Sequence, residues 1–169
     1  MRAAYLVCAV AVLGACSSAT DNGDEITPLR DKIVFTSTRD GFWQLYVMNA
    51  DGSAVTPLPL DRPGYVFAPA VSPDGRRIAI GLGDGEIYVM NADGTGITNI
   101  TMNAGSDSYP AWSPDGIRIA FNSDRHGNSD VFVMNADGSD PLNLTNNPAF
   151  DGGATWSPDG SQLVTANVD

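Results

Sequence analysis

The sequence predicts an all-β fold assembled from repeated four-stranded antiparallel units, and three observations predict it. The pentapeptide MNADG stands at Met48–Gly52, Met90–Gly94 and Met134–Gly138, at spacings of 42 and 44 residues. The tetrapeptide SPDG keeps nearly the same period, at Ser72–Gly75, Ser113–Gly116 and Ser157–Gly160, spaced 41 and 44. Between these marks lie apolar runs of four to six residues, rich in Ile, Val, Phe and Tyr and bounded by Gly, Pro, Asp and Asn. That is strand punctuation, and the runs are too short for helices. A period in the low forties with several short strands per unit points to the blades of a β-propeller.

The first segment stands apart from this pattern. MRAAYLVCAVAVLGAC has one basic residue, Arg2, and then an apolar run from Ala3 to Leu13. Such a run suits the core of an export signal and is too short to span a bilayer as a helix. It ends in Leu13-Gly14-Ala15-Cys16, which resembles the lipobox of bacterial lipoproteins. The resemblance implies cleavage before Cys16 and acylation of Cys16, so residues 1–15 read as a lipoprotein signal peptide. Cys8 leaves with the leader, and no disulfide framework is expected in what remains. Several acyl chains on one residue hold a protein firmly where a single chain is marginal. Ser17–Asp31 is polar and without periodicity, so residues 16–31 read as the lipidated cysteine and a polar tether.

Residues 32–169 carry the repeats, with copies near 32–58, 67–100 and 109–145 and a partial copy over 153–169. A full unit reads as strand a (YPAWS), the SPDG turn, strand b (RIAFNS), a loop, strand c (DVFVMN), the NADG turn and strand d (PLNLT). In EIYVMN, Ile87 and Val89 point one way while Tyr88 and Met90 point the other, so both faces of the strand need cover. Stacked blades supply it; a sheet wetted on one face does not. In SPDG, proline fixes φ for a type I turn, with Ser, Asp and Gly at the positions that suit them. NADG reads as a similar turn whose glycine takes positive φ. Trp112 and Trp156 end strand a in two copies and Val71 in another, and aromatics there read as core packing.

Thirteen strands are expected: b, c and d, then two complete sets, then a and b. This is a partial propeller of about three blades plus an extra strand, whereas closed rings use roughly four to eight blades. Three arrangements meet that count: a fragment of a longer gene product, a ring shared between copies as a homo-oligomer, or an open stack with exposed edges.

A meander reverses at every turn. The uniform SPDG and NADG turns therefore share one end of the blades, and the b–c and d–a loops share the other. The loops differ between copies, and divergent loops on a repeated scaffold are where a partner is recognised. The candidate contact residues there are Arg39, Asp107, Asp124, Arg125, His126 and Asp151.

Chemistry is otherwise sparse. Twenty acidic residues against nine basic ones give a net charge of −11, which argues against a nucleic-acid surface. Much of that acidity is turn aspartate. The single histidine, His126, lies in a predicted loop, and no G-x-S-x-G elbow accompanies it. One histidine and no free cysteine do not make a zinc site, and no stretch matches the calcium-loop pattern D-x-[DN]-x-[DN]-G. No catalytic residue, metal or cofactor is expected.

The stretch Pro110–Thr145, PAWSPDGIRIAFNSDRHGNSDVFVMNADGSDPLNLT, resembles the TolB-type β-propeller repeat, and its motifs recur across Lys32–Asp169. The resemblance implies a ring of four-stranded blades that scaffolds protein contacts in the bacterial envelope. TolB itself carries an α/β domain ahead of its propeller, and here a short tether occupies that place, so TolB proper is not implied. Related repeats form the propeller of prolyl oligopeptidase-type hydrolases, which offers the alternative of a sensor or gating portion of a larger enzyme. The leading expectation is a non-catalytic, lipid-anchored scaffold facing the periplasm. Its partner would be an envelope protein or peptidoglycan-associated.

Overall fold

The structure, a computed structural model, describes residues 26–168 apart from 61 and 63. The leader, Cys16 and most of the tether lie outside the described residues. Among those described, thirteen strands and no helix form four antiparallel sheets. The first sheet holds β1 (Lys32–Ser37), β2 (Gln44–Asn49) and β3 (Thr56–Leu58). The second holds β4 (Val66–Val71), β5 (Arg77–Leu82), β6 (Ile87–Asn91) and β7 (Thr98–Asn99). The third holds β8 (Asp107–Trp112), β9 (Arg118–Ser123), β10 (Asp130–Asn135) and β11 (Leu142–Asn143), and the fourth holds β12 (Phe150–Trp156) and β13 (Leu163–Val168). Each sheet runs in sequence order, so every connection is a simple reversal.

The turns form as their residues dictate. Gly75, Gly116 and Gly160 each donate their N–H to the carbonyl of the serine three residues back, closing SPDG. The Ser72 hydroxyl bonds the Asp74 carboxylate at 2.6 Å and accepts the Arg77 N–H at 2.9 Å, so one serine ties both ends of the turn. In NADG, Asp51, Asp93 and Asp137 each accept the backbone N–H and the hydroxyl of the residue two positions on. The acidity of these motifs is turn chemistry.

Cores lie between sheets. Tyr88 and Met90 of β6 join Val34, Leu45 and Ile80 in a cluster between the first and second sheets. Ile87, on the opposite face of the same strand, joins Phe121, Phe132 and Met134 between the second and third. Val131 and Val133 of β10 turn to a third cluster with Ala154. The two-sided apolar strands are thus covered on both sides, as stacked blades require.

One local feature departs from the sequence expectation. The inner strands begin earlier than the apolar pattern suggests, β8 at Asp107 and β12 at Phe150. Each carries a bulge, and pairing resumes beyond it: the register shifts between Phe67 and Ala70, Ser108 and Ala111, and Gly152 and Thr155. Ala68, Tyr109 and Gly153 sit in those bulges at positive φ. A bulge breaks the alternation from which strands are read, and it re-aims the side chain it carries.

Candidate functional site

The loop face is built on the ends of the b and c strands. In the first sheet, Tyr46 of β2 stacks on Phe35 of β1 and donates its hydroxyl to Asp40 of the intervening loop at 2.5 Å. In the second, Tyr88 donates to Asp84 at 2.8 Å, and Arg62 pairs with Asp84 at 3.1 Å while lying over the Tyr88 ring. Burial first, and then the carboxylate hydrogen bond, raise both phenols above their ordinary pKa. The third sheet has Phe132 where the others have tyrosine and His126 where the first has Asp40. The pair meets ring edge to ring face, 5.5 Å between centroids. A hydroxyl–carboxylate contact is thereby exchanged for an aromatic one. The His126 Nδ1 lies 3.3 Å from the Asn143 amide nitrogen.

Asp107 opens β8 and is fully buried. Its carboxylate takes Arg125 at 3.0 Å and the Asn103 amide, with the arginine side chain only 16 % exposed. Arg125 also stacks over Phe121 and Phe132 and donates its Nε–H to Ser123 at 2.8 Å. This ion pair fixes the b–c loop onto the inner strand. Asp151, at the matching place in β12, is also buried and accepts the Asn147 amide. Both carboxylates face inward and hold loops in place. Asp130, which no sequence pattern singled out, is buried among Asn143 (2.8 Å) and Thr145 (3.2 Å) and does the same for the d strand.

Asp124, Arg125 and His126 are brought together with Asn103–Gly105 around a cleft of about 430 Å³. The Asp124 carboxylate accepts the Ser106 N–H at 2.6 Å. Arg39 lies apart, over Phe35 and Tyr46 of the first sheet, and is exposed. Among the described residues no group of three or more His, Cys, Asp or Glu side chains converges where a metal could sit.

Sequence reasoning missed an aromatic feature that links the sheets. Trp43, Tyr65, Phe67 and Tyr109 form a chain of rings, with successive centroids 5.5, 5.5 and 6.3 Å apart. They come from a b–c loop, a d–a loop, β4 and β8, so the row crosses three sheets. Tyr65 is 49 % exposed and Tyr109 55 %. Gly81 makes room for it: a Cβ there would stand 2.5 Å from the Phe67 ring. The available signal was the clustering of aromatics in the segments that differ between copies.

Comparison with known proteins agrees with this architecture. Residues 60–169 match the family model described as the TolB beta propeller domain. A structure described as TolB of Agrobacterium tumefaciens superposes with a TM-score of 0.72 at 25% identity, covering 82% of this chain and 51% of that one. TolB of Acinetobacter baumannii gives 0.68 at 23% identity, covering 80% and 34%. A gluconolactonase of Xanthomonas campestris gives 0.63 at 19% identity, covering 82% and 51%, a likeness of fold alone. The chain thus spans about half the length of the Agrobacterium structure and about a third of the Acinetobacter one. Four stacked sheets in sequence order, SPDG and NADG turns that each recur three times along them, and a family match over well over half of the sequence converge: the chain belongs to the TolB beta propeller domain family.

Proposed function

We propose that this chain is a non-catalytic propeller of the bacterial envelope, lipid-anchored through Cys16 and facing the periplasm, that docks a protein partner on its loop face. Residues 1–15 are its signal peptide and 16–31 its anchor and tether. The observation that carries the docking role is the row Trp43–Tyr65–Phe67–Tyr109, in which Tyr65 and Tyr109 are exposed and Trp43 and Phe67 half-buried. Tyrosine and tryptophan supply large contact area at low conformational cost, and such clusters anchor protein interfaces. Membership of a TolB-type family supports the same reading.

The test places a photo-cross-linking residue at Tyr65, at Tyr109 or at Asp137 of the opposite turn face, in cells making the full chain. Discrete adducts with an envelope protein are expected from the two tyrosine positions and not from position 137. Equal adducts from both faces would sink the assignment. Labelling with an alkyne fatty acid tests the anchor: incorporation that vanishes in Cys16→Ser supports it, and no incorporation in the unaltered chain removes it.

A further inference from the structure

Tyr46 and Tyr88 commit their hydroxyls to Asp40 and Asp84. Tyr65 and Tyr109 do not: among the described residues they make ring contacts alone, and so does Trp43. One indole N–H and two exposed phenols are therefore donors without an acceptor, set along a row of apolar rings.

The backbone marks one member of this row. Each bulge of an inner strand holds a residue at positive φ: Ala68 at 47°, Tyr109 at 53° and Gly153 at 67°. Glycine suits that conformation, and a bulky side chain is strained in it. Strain of this kind collects where function needs the side chain.

The same strands limit how a partner binds. β4 and β8 lie at the ends of their sheets, and an end strand ordinarily invites another strand. Here the residue after each bulge position is a buried proline, Pro69 or Pro110, with no N–H to offer. Bulge and proline together oppose strand addition beside the row, so a partner is read there through side chains. The row contains no cation, which argues against an acidic or phosphorylated segment.

What fits is a segment rich in carbonyl acceptors and apolar rings and poor in N–H donors. A proline-rich segment in the polyproline-II helix has that chemistry, since its carbonyls make no internal hydrogen bonds and proline lacks the N–H. Two residues of that helix advance about 6 Å, and the ring centroids of the row step by 5.5, 5.5 and 6.3 Å. Successive rings are tilted by 79°, 34° and 65°, which opens furrows between them.

We propose that the row Trp43–Tyr65–Phe67–Tyr109 recognises a proline-rich segment of the partner in the polyproline-II conformation. The pyrrolidine rings seat between the aromatic ones, and the donors of Trp43, Tyr65 and Tyr109 meet the segment's carbonyls. This rests on the reading of the loop face as a docking face and gives the partner a chemical class. Tyr109 is its specificity residue, held at a cost to the fold.

The test uses the purified full chain with a fluorescein-labelled decaproline peptide, and a labelled glycine–serine decapeptide as control, read by anisotropy. Saturable binding of decaproline alone is expected. Tyr109→Gly and Tyr65→Ala each weaken it by roughly tenfold or more, and Tyr109→Phe, which lacks only the hydroxyl, weakens it less. The Tm of Tyr109→Gly stays level or rises by roughly 2–4 °C, because glycine relieves the positive φ. A lowered Tm would assign the ring to packing and remove its specificity role. No saturable binding at millimolar peptide, equal binding of the control, or unchanged affinity in Tyr109→Gly overturns the proposal. In broken cells, decaproline is expected to compete away the photo-cross-linked adducts at position 65. Adducts that persist would leave the docking face standing and overturn the polyproline class. Decaproline binding without any adduct would instead overturn the envelope-protein partner and leave the polyproline site.

Discussion

Trp156 donates its indole N–H to the carbonyl oxygen of Ala111, one blade back, at 3.1 Å. Trp112 does the same to Ala70, also at 3.1 Å. In each case an arginine of the preceding blade covers the ring, Arg118 over Trp156 and Arg77 over Trp112, at 4.7 and 4.5 Å. The tryptophan that closes strand a is therefore a staple between blades. Trp112→Phe keeps most of the apolar contact and leaves the Ala70 carbonyl without its donor. The expected cost is about 1–3 kcal/mol in urea unfolding, while Arg77→Met costs about 1 kcal/mol or less. A neutral Trp112→Phe would show that the indole bond contributes nothing.

The Asp107–Arg125 pair predicts a strongly non-additive response. Arg125→Met strands a fully buried carboxylate, at a cost of about 3–5 kcal/mol. Adding Asp107→Asn removes the stranded charge, so the double variant is expected to be more stable than Arg125→Met alone. Equilibrium denaturation of the three variants decides it, and additive losses would contradict the pairing.

The NADG glycines are expected to differ in tolerance although their motif is identical. All three have positive φ, from 85° to 90°. At Gly52 a Cβ would meet nothing within 4 Å, so Gly52→Ala costs only the backbone strain, about 1–2 kcal/mol. At Gly94 it would lie 2.2 Å from the Pro59 carbonyl oxygen, and at Gly138 2.3 Å from that of Ile100. Gly94→Ala and Gly138→Ala must also push neighbouring blades apart and are expected to cost about 1–3 kcal/mol more. Equal losses at the three sites would show that the blades do not approach as closely as described.

Acid should unfold this protein through its turns. The Ser157 hydroxyl, with the N–H and hydroxyl of Ser161, holds Asp159 down to about 2 from 3.8. Asp51, Asp93, Asp115 and Asp137 are lowered by the same kind of hydroxyl and amide donors. Because the folded values lie below the unfolded one, the unfolded chain binds more protons between them. The stabilisation is complete above the unfolded pKa and is lost as pH falls through the folded ones. Tm is expected to be level down to about pH 5 and to fall between about pH 4 and 2, with a shallower fall in Asp159→Asn. A Tm unaffected by acid would refute this role for the turn aspartates.

What the sequence determined by itself is whatever local chemistry repeats. MNADG and SPDG specify their turns through bonds spanning two to five residues. The apolar runs between them specify strands with two buried faces, and stacked blades follow. That is why thirteen strands, their order and the two-ended arrangement of turns and loops were legible in advance. The positions of Asp107 and Asp151 were not. Both sit in polar stretches that read as loop, and only the bulges at Tyr109 and Gly153 carry the inner strands past them into the interior.

Tertiary structure alone decided which loop residues meet. Arg125 reaches Asp107 across eighteen residues, and Trp43, Tyr65, Phe67 and Tyr109 align from three sheets into one row. Such a row has no period in the chain, since its spacing is set by the stacking of blades and not by the repeat along the sequence. Turn geometry is local and so is written in neighbouring residues; a surface shared between blades exists only once the blades have packed.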